Sequence, residues 1–322
     1  VSAFREGGRF PDPSTLAIAV ALAALPFVLP SVTLASELVV FAVGALSCAL
    51  LLGQAGLLSF GQGLFFGIGA YVSGLVLRGQ ATGVLAAVAA GAVAAGLAAG
   101  VLAPLAVRRH GVYFVMLTLA FAQMGYFGML ALKDATGGEN GLSGISRPPL
   151  LLGWGVLSSP ASVYALLAVL ALGAYALVQR VGCSPLGSVL RAIRQNESRA
   201  EALGYDVRRF KLAAFALAGG VAGLAGAMHT VFLGFVPPNS IDLEMSERLL
   251  IMTILGGVGA PAGAFVGAGF YVVMGDWLSG LWPRWPMLIG FMLIGIVLFL
   301  RQGLWGGGVD LLARLRGGRR DG

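Results

Sequence analysis

Charge is scarce in this chain. Only 11% of its 322 residues are Asp, Glu, Lys or Arg, against roughly a quarter in ordinary soluble domains. Lysine occurs only at Lys133 and Lys211, preceded by Leu132 and Phe210. The Gly-Lys-Ser/Thr phosphate loop of a nucleotide-hydrolysing protein is therefore missing. Cysteine is limited to Cys48 and Cys183, far apart and in or beside apolar stretches, which suggests neither a disulfide framework nor a metal site. His110 and His229 read as interfacial and packing residues rather than ligands. With no serine nucleophile elbow, no His-Glu-x-x-His and no paired carboxylates in an apolar setting, a membrane-embedded enzyme is disfavoured.

What the chain has instead is long apolar runs. Stretches at about 14–33, 38–58, 60–77, 84–107, 111–132, 161–179, 212–233, 246–258, 262–279 and 286–300 are candidates to cross ~30 Å of hydrocarbon, for which ~20 residues suffice. The fold class expected is an all-α integral membrane protein of about ten transmembrane helices, with residues 1–322 as one transmembrane domain. The stretch at 246–258 is short and glycine-rich at its end, as in a re-entrant or broken helix sheltered by protein. Numbering that opens on Val1 fits a start inside a longer reading frame, and 14–33 reads as a first span rather than a signal peptide.

Ten crossings put both termini on one side. That side then carries Arg108, Arg109, Arg180, the basic cluster from Arg191 to Lys211 and the tail arginines. The other carries only Arg78, Lys133, Arg147, Arg248 and Arg284. This is the positive-inside bias, so both termini are expected in the cytoplasm. The formal net charge of +7 is then a topology signal and a contact for lipid headgroups, not a nucleic-acid footprint.

Glycine, fifty residues in all, clusters inside the apolar runs. Small residues let membrane helices pack closely, which Gly63-x-x-x-Gly67, Gly219-x-x-x-Gly223 and Gly263-x-x-x-Gly267 fit. Gly63, Phe65, Gly67, Gly69, Tyr71 and Val72 also recur as Gly263, Phe265, Gly267, Gly269, Tyr271 and Val272. The echo reads as a glycine-rich internal repeat, common in transporters. Glu37, Glu247, Arg248 and Asp276 fall at or near span ends, whereas ion-coupled carriers keep ionisable groups at mid-membrane. Energy for uphill work must come from another chain.

One segment, 184–204, is polar and helix-patterned. Ser184 followed by Pro185 makes a helix start, and Gly204 suits the left-handed position past its end. Leu186, Leu190, Ile193, Ala200 and Leu203 share one stripe, interrupted by Glu197, as in an amphipathic helix lying on the membrane surface or a docking helix for a soluble motor. Arg194 can reach Glu197 one turn on. The expectation is one continuous rod of about 27 Å on the cytoplasmic side.

The run Leu190-Arg-Ala-Ile-Arg-Gln-Asn-Glu-Ser-Arg-Ala-Glu-Ala-Leu-Gly204, followed by 209–215 and 222–227, closely resembles permease subunits of branched-chain amino-acid ABC importers. The blocks 53–62, 136–145 and 255–259 carry the same resemblance, which covers roughly 38–300. It implies a second permease chain, favoured as a paralogue, two ATP-binding cassette subunits and an extracytoplasmic solute-binding protein. ATP and Mg would be used by the partner ATPases, with no cofactor, metal or catalytic residue in this chain. The setting implied is a bacterial or archaeal cytoplasmic membrane.

Arg191, Arg194, Glu197, Glu201 and Gly204 are then the ATPase-coupling residues, with Leu203 departing from the general alanine pattern. Gln54, Ser59, Gln62, Tyr71, Thr118 and Gln123 are candidates for the translocation pathway, or for helix–helix hydrogen bonds. The external loop with Thr136, Gly137, Gly138 and Asn140 would receive the binding protein, shape an outer gate or merely connect. Urea and short-amide permeases share most of these blocks, and a passive channel is a further alternative.

Overall fold

The computed structural model describes residues 13–79, 83–108, 111–145, 159–299 and 303–308. Its helices are α1 (Pro13–Val28), α2 (Val32–Leu50), α3 (Gln62–Arg78), α4 (Val84–Ala106), α5 (Val112–Ala131), α6 (Lys133–Thr136) and α7 (Pro160–Cys183). They continue with α8 (Pro185–Gln195), α9 (Glu197–Ala202), α10 (Val207–Leu233), α11 (Leu243–Gly256), α12 (Pro261–Leu281) and α13 (Trp285–Phe299). A π-turn at Leu51–Ala55 extends α2. Among the described residues there is no strand beyond the single Leu142–Val236 bridge.

Six of these helical segments are long and apolar enough to cross a bilayer: Val32–Ala55, Val84–Ala106, Val112–Ala131, Pro160–Cys183, Val207–Leu233 and Pro261–Leu281. Ser14–Val28 and Trp285–Ile296 are shorter apolar helices. The other expected spans, 60–77 and 246–258, correspond to α3 and α11. These have 17 and 14 residues, about 26 and 21 Å at 1.5 Å per residue, so neither reaches the ~30 Å of a full crossing.

α2 is the central post, 94% of its apolar window being buried. It packs against α12, α10, α7 and α11, while α10 packs most extensively on α4 and α3. The tight packing depends on missing side chains. A methyl group on Gly69 of α3 would lie 2.1 Å from the Gly223 carbonyl oxygen of α10, and one on Gly91 of α4 would lie 2.6 Å from Gly69 O. Three backbones therefore meet almost directly, the association that small residues permit in lipid.

The expected continuous rod over 184–204 is broken. Asn196 is extended (φ −159°, ψ 103°) and caps a new helix by accepting from Arg199 N–H at 3.0 Å. An Asn side chain that can satisfy an orphan helix donor competes with helix continuation. Ser184 does cap α8 as its sequence suggests, and Gly204 adopts φ 86° just past α9. Leu186, Leu190, Ile193 and Ala200 turn toward the protein, but Leu203 does not: it is 72% exposed, because α9 ends at Ala202.

Candidate functional site

α8 grips the end of α2. Arg191 Nη1 donates to Gln54 Oε1 at 3.0 Å and to the Gly182 carbonyl at 2.6 Å. Arg194 Nη1 donates to the Gly53 carbonyl, and its side chain fills the space beside Gly56, whose φ is 69°. Both guanidiniums thus bind the π-turn, Arg194 at a backbone carbonyl that the turn leaves free to accept and Arg191 at the Gln54 side chain. The Arg194–Glu197 contact expected from spacing gives way to a different pair. Glu197 Oε1 receives Lys211 Nζ at 2.6 Å, and Lys211, expected among the cytoplasmic charges, is buried in the second turn of α10. The segment is therefore tied to both α2 and α10, while Arg199, Glu201, Leu203, Gly204 and Tyr205 project exposed. Leu203 and Tyr205 are therefore exposed large side chains among charges.

From the π-turn the chain climbs back toward the interior. Gln62, the first residue of α3, accepts from Ser47 Oγ at 3.3 Å. Ser47 lies eight residues before the end of the π-turn, so α3 begins about 12 Å inside the end of that turn. Phe60 N–H donates to Thr118 Oγ1 of α5 at 3.2 Å, Gly61 N–H to Ser59 Oγ at 3.1 Å, and Gly63 N–H to Ser246 Oγ of α11 at 2.8 Å. Gln62 Nε2 is buried with no partner. The Gln62 side chain borders a narrow void lined also by Cys48, Leu51, Leu57, Ser59 and Leu250, too tight for water.

α11 starts at the same depth. After α10 ends at Gly234, the segment 235–242 runs back along α3, with Val236 beside Gly74, Ile241 beside Gly67 and Asp242 O beside Gly63. α11 then descends until Val258 O meets Gly53, at the π-turn held by Arg194. Two short helices of opposite direction therefore have their N-termini together inside the bundle, where their positive dipole ends favour an anionic group.

The candidates taken from sequence separate accordingly. Ser59, Gln62 and Thr118 converge on the start of α3, whereas Gln54 belongs to the α8 clasp. The Tyr71 hydroxyl is buried and without a partner further up α3, and Gln123 is half-buried on α5. Thr136 is buried, donating to the Met129 and Leu132 carbonyls at 2.8 and 2.9 Å. Gly137 and Gly138 take φ of 80° and 58°, and Asn140 closes a turn on Gly137. This loop is pinned to the 235–242 segment by the Leu142–Val236 bridge, which places it at the far end from α8. Sequence reading missed Ser47, Ser246 and Lys211, whose partners lie far away along the chain. Among the described residues no three His, Cys, Asp or Glu side chains come together to hold a metal ion.

The sequence matches the family described as "Branched-chain amino acid transport system / permease component" over residues 31–299. It is 27% identical to the high-affinity branched-chain amino acid transport system permease protein LivM of Salmonella typhimurium over 312 residues, covering 90% of this chain and 73% of the relative. The LivM of Escherichia coli K12 gives the same identity and coverage. An autoinducer 2 import system permease protein, LsrC of Enterobacter sp. strain 638, is 32% identical over 203 residues, 57% of this chain and 56% of the relative. No solved structure matches.

Proposed function

The chain belongs to the permease family of branched-chain amino acid transport systems, and on that premise we propose how it takes part in transport. It is a multi-pass membrane protein and the permease subunit of an ABC importer for branched-chain amino acids. In our reading the segment over 197–206 seats in a groove of a cytoplasmic ATPase, with Glu201, Leu203 and Gly204 at its tip. Arg191 and Arg194 carry the displacement to the π-turn, and Glu197–Lys211 carries it to α10. The π-turn leads straight into the start of α3 and abuts the end of α11, so moving it shifts the junction of the two half-helices. That junction, with Gln62, Ser59 and Thr118, is the gate through which the amino acid passes.

The observation that carries the reading is the double clasp of Arg191 and Arg194 on Gln54 and Gly53. The same reading includes a second permease chain, a paralogue, two ATPases that use ATP and Mg, and an extracytoplasmic solute-binding protein delivering at the loop over 133–145. It sets both termini in the cytoplasm of a bacterial or archaeal cell. Leucine at 203 replaced by cysteine, in a background with the exposed Cys183 changed to serine, provides the test. A short bifunctional reagent should link Leu203→Cys to the ATPase subunit in native membranes. Labelling of that cysteine only from the external face would sink the proposal.

A further inference from the structure

Away from the coupling segment, between the first three turns of α2 and the helices α11, α12 and α13, lies a cavity of about 210 Å³. At ~30 Å³ per water this is about seven waters' worth, the scale of one free hydrophobic amino acid. Glu37 of α2, Arg248 of α11 and Asp276 of α12 bring charges of both signs to its wall, joined by Tyr271 and Ser279. Glu37 stands within electrostatic reach of both Arg248 and Asp276. Leu34, Phe41, Val272 and Trp285 form the apolar remainder. Arg248 Nη2 donates to Glu244 Oε1 at 2.6 Å, one of the five N–H groups that a guanidinium carries. Beneath the cavity the Phe41 ring packs on His229 at 5.9 Å and His229 on Phe66 at 5.5 Å.

We infer that this cavity is an amphoteric binding site for a free zwitterionic amino acid, a waiting position on the outer side of the gate. The substrate ammonium lies between Glu37 and Asp276, its carboxylate accepts from Arg248, and its side chain rests on Phe41, Val272 and Trp285. The mixture of charges argues for this class of ligand. A simple cation would meet the Arg248 guanidinium, and a simple anion would meet two carboxylates. An uncharged solute would leave the Glu37 and Asp276 carboxylates in a recessed, half-apolar space with only Arg248, already paired with Glu244, to offset them. The inference rests on the reading of this chain as an amino-acid permease, and adds to it a site that the gate does not require.

The test uses the complete permease–ATPase complex in phosphatidylglycerol nanodiscs, which present no zwitterionic headgroup, without the solute-binding protein. Radiolabelled leucine should bind saturably. Leucinamide, which lacks the carboxylate, and 4-methylpentanoate, which lacks the amine, should each compete at least tenfold less well than leucine. Glu37→Gln and Arg248→Gln should each weaken leucine binding by roughly tenfold or more, the loss of a charge-assisted contact. Asp276→Asn, on the exposed rim, provides the same readout if a more buried variant fails to fold. Absent saturable binding, or binding unaltered in these variants, overturns the site. Uptake by the full importer with its binding protein is measured in parallel. Leucine uptake without leucine binding here sinks the site alone, whereas no amino-acid uptake at all sinks the permease reading.

Discussion

Arg191 replaced by alanine is the perturbation that the clasp makes most informative. The change removes two charge-assisted hydrogen bonds, to Gln54 Oε1 and Gly182 O, each worth about 1.5–3 kcal/mol where water is excluded. Arg191 is only half-buried, so water replaces part of what is lost and a net cost of about 2 kcal/mol is expected. Because α8 and α9 remain anchored through Arg194 and Lys211, that cost falls on the link between α8 and the π-turn rather than on the whole fold. A coupling energy of about 2 kcal/mol corresponds to a factor of about 30 in the equilibrium between coupled and uncoupled states. In proteoliposomes of the whole importer, leucine moved per ATP hydrolysed should fall severalfold or more, while ATPase activity persists. Gln54→Ala removes the same contact from the other side. The double variant should therefore be little worse than Arg191→Ala, a non-additivity that a cycle of mutants reads directly. Arg191→Lys should rescue poorly, since a compact ammonium does not reproduce the guanidinium's forked donors. Strictly additive losses, or an unchanged ratio of transport to hydrolysis in Arg191→Ala, would refute the clasp as the transmission element.

Other consequences are as open to measurement. Gln62→Leu removes a weak 3.3 Å hydrogen bond together with a buried amide nitrogen that has no partner. Its effect on thermal unfolding should lie within about 1 kcal/mol of zero, yet leucine transport should drop about tenfold if Gln62 belongs to the gate. Gly69→Ala forces a methyl to 2.1 Å from Gly223 O, so helices α3 and α10 must separate. A loss of about 3 kcal/mol or more, read as lost monodisperse protein in detergent, is expected. Lys211→Met leaves the Glu197 carboxylate, a third exposed, without its ammonium and should cost about 2–3 kcal/mol. Glu197→Gln together with Lys211→Met should recover most of that loss in the same melting assay. Gly204→Val strains a residue at φ 86° that has open space around it, by about 1–2 kcal/mol. Membrane insertion should be normal and ATPase co-purification reduced.

Local chemistry was legible in the sequence wherever a few neighbouring residues decide the outcome. The Ser184–Pro185 start of α8 and the left-handed Gly204 follow from cap preferences alone. The break at Asn196 was also signalled, by a capping residue inside the pattern, but the apolar stripe running through it suggested a single rod. Depth was not legible. The block 53–62 gives no sign that the chain turns back and starts α3 level with Ser47, because that depends on hydrogen bonds to Thr118 and Ser246 at remote positions. The shortness of 246–258 did foreshadow a helix that begins within the bundle. Glu37, Arg248 and Asp276 looked like unrelated charges near span ends, and only the packing of α2, α11 and α12 brings them to one cavity. Lys211 likewise read only as one of the cytoplasmic charges, and it is the packing of α9 against α10 that makes it the buried half of an ion pair with Glu197.

The claim that most of this depends on is that the chain moves its solute with work delivered by another subunit through α8 and α9. Leucine accumulation against a gradient, measured in liposomes with and without the ATPase subunits and with hydrolysable or non-hydrolysable nucleotide, addresses it directly. Accumulation is expected only when the ATPases and hydrolysable ATP are both present. Accumulation by the permease without them, or with ATP that is bound but never cleaved, would contradict that claim.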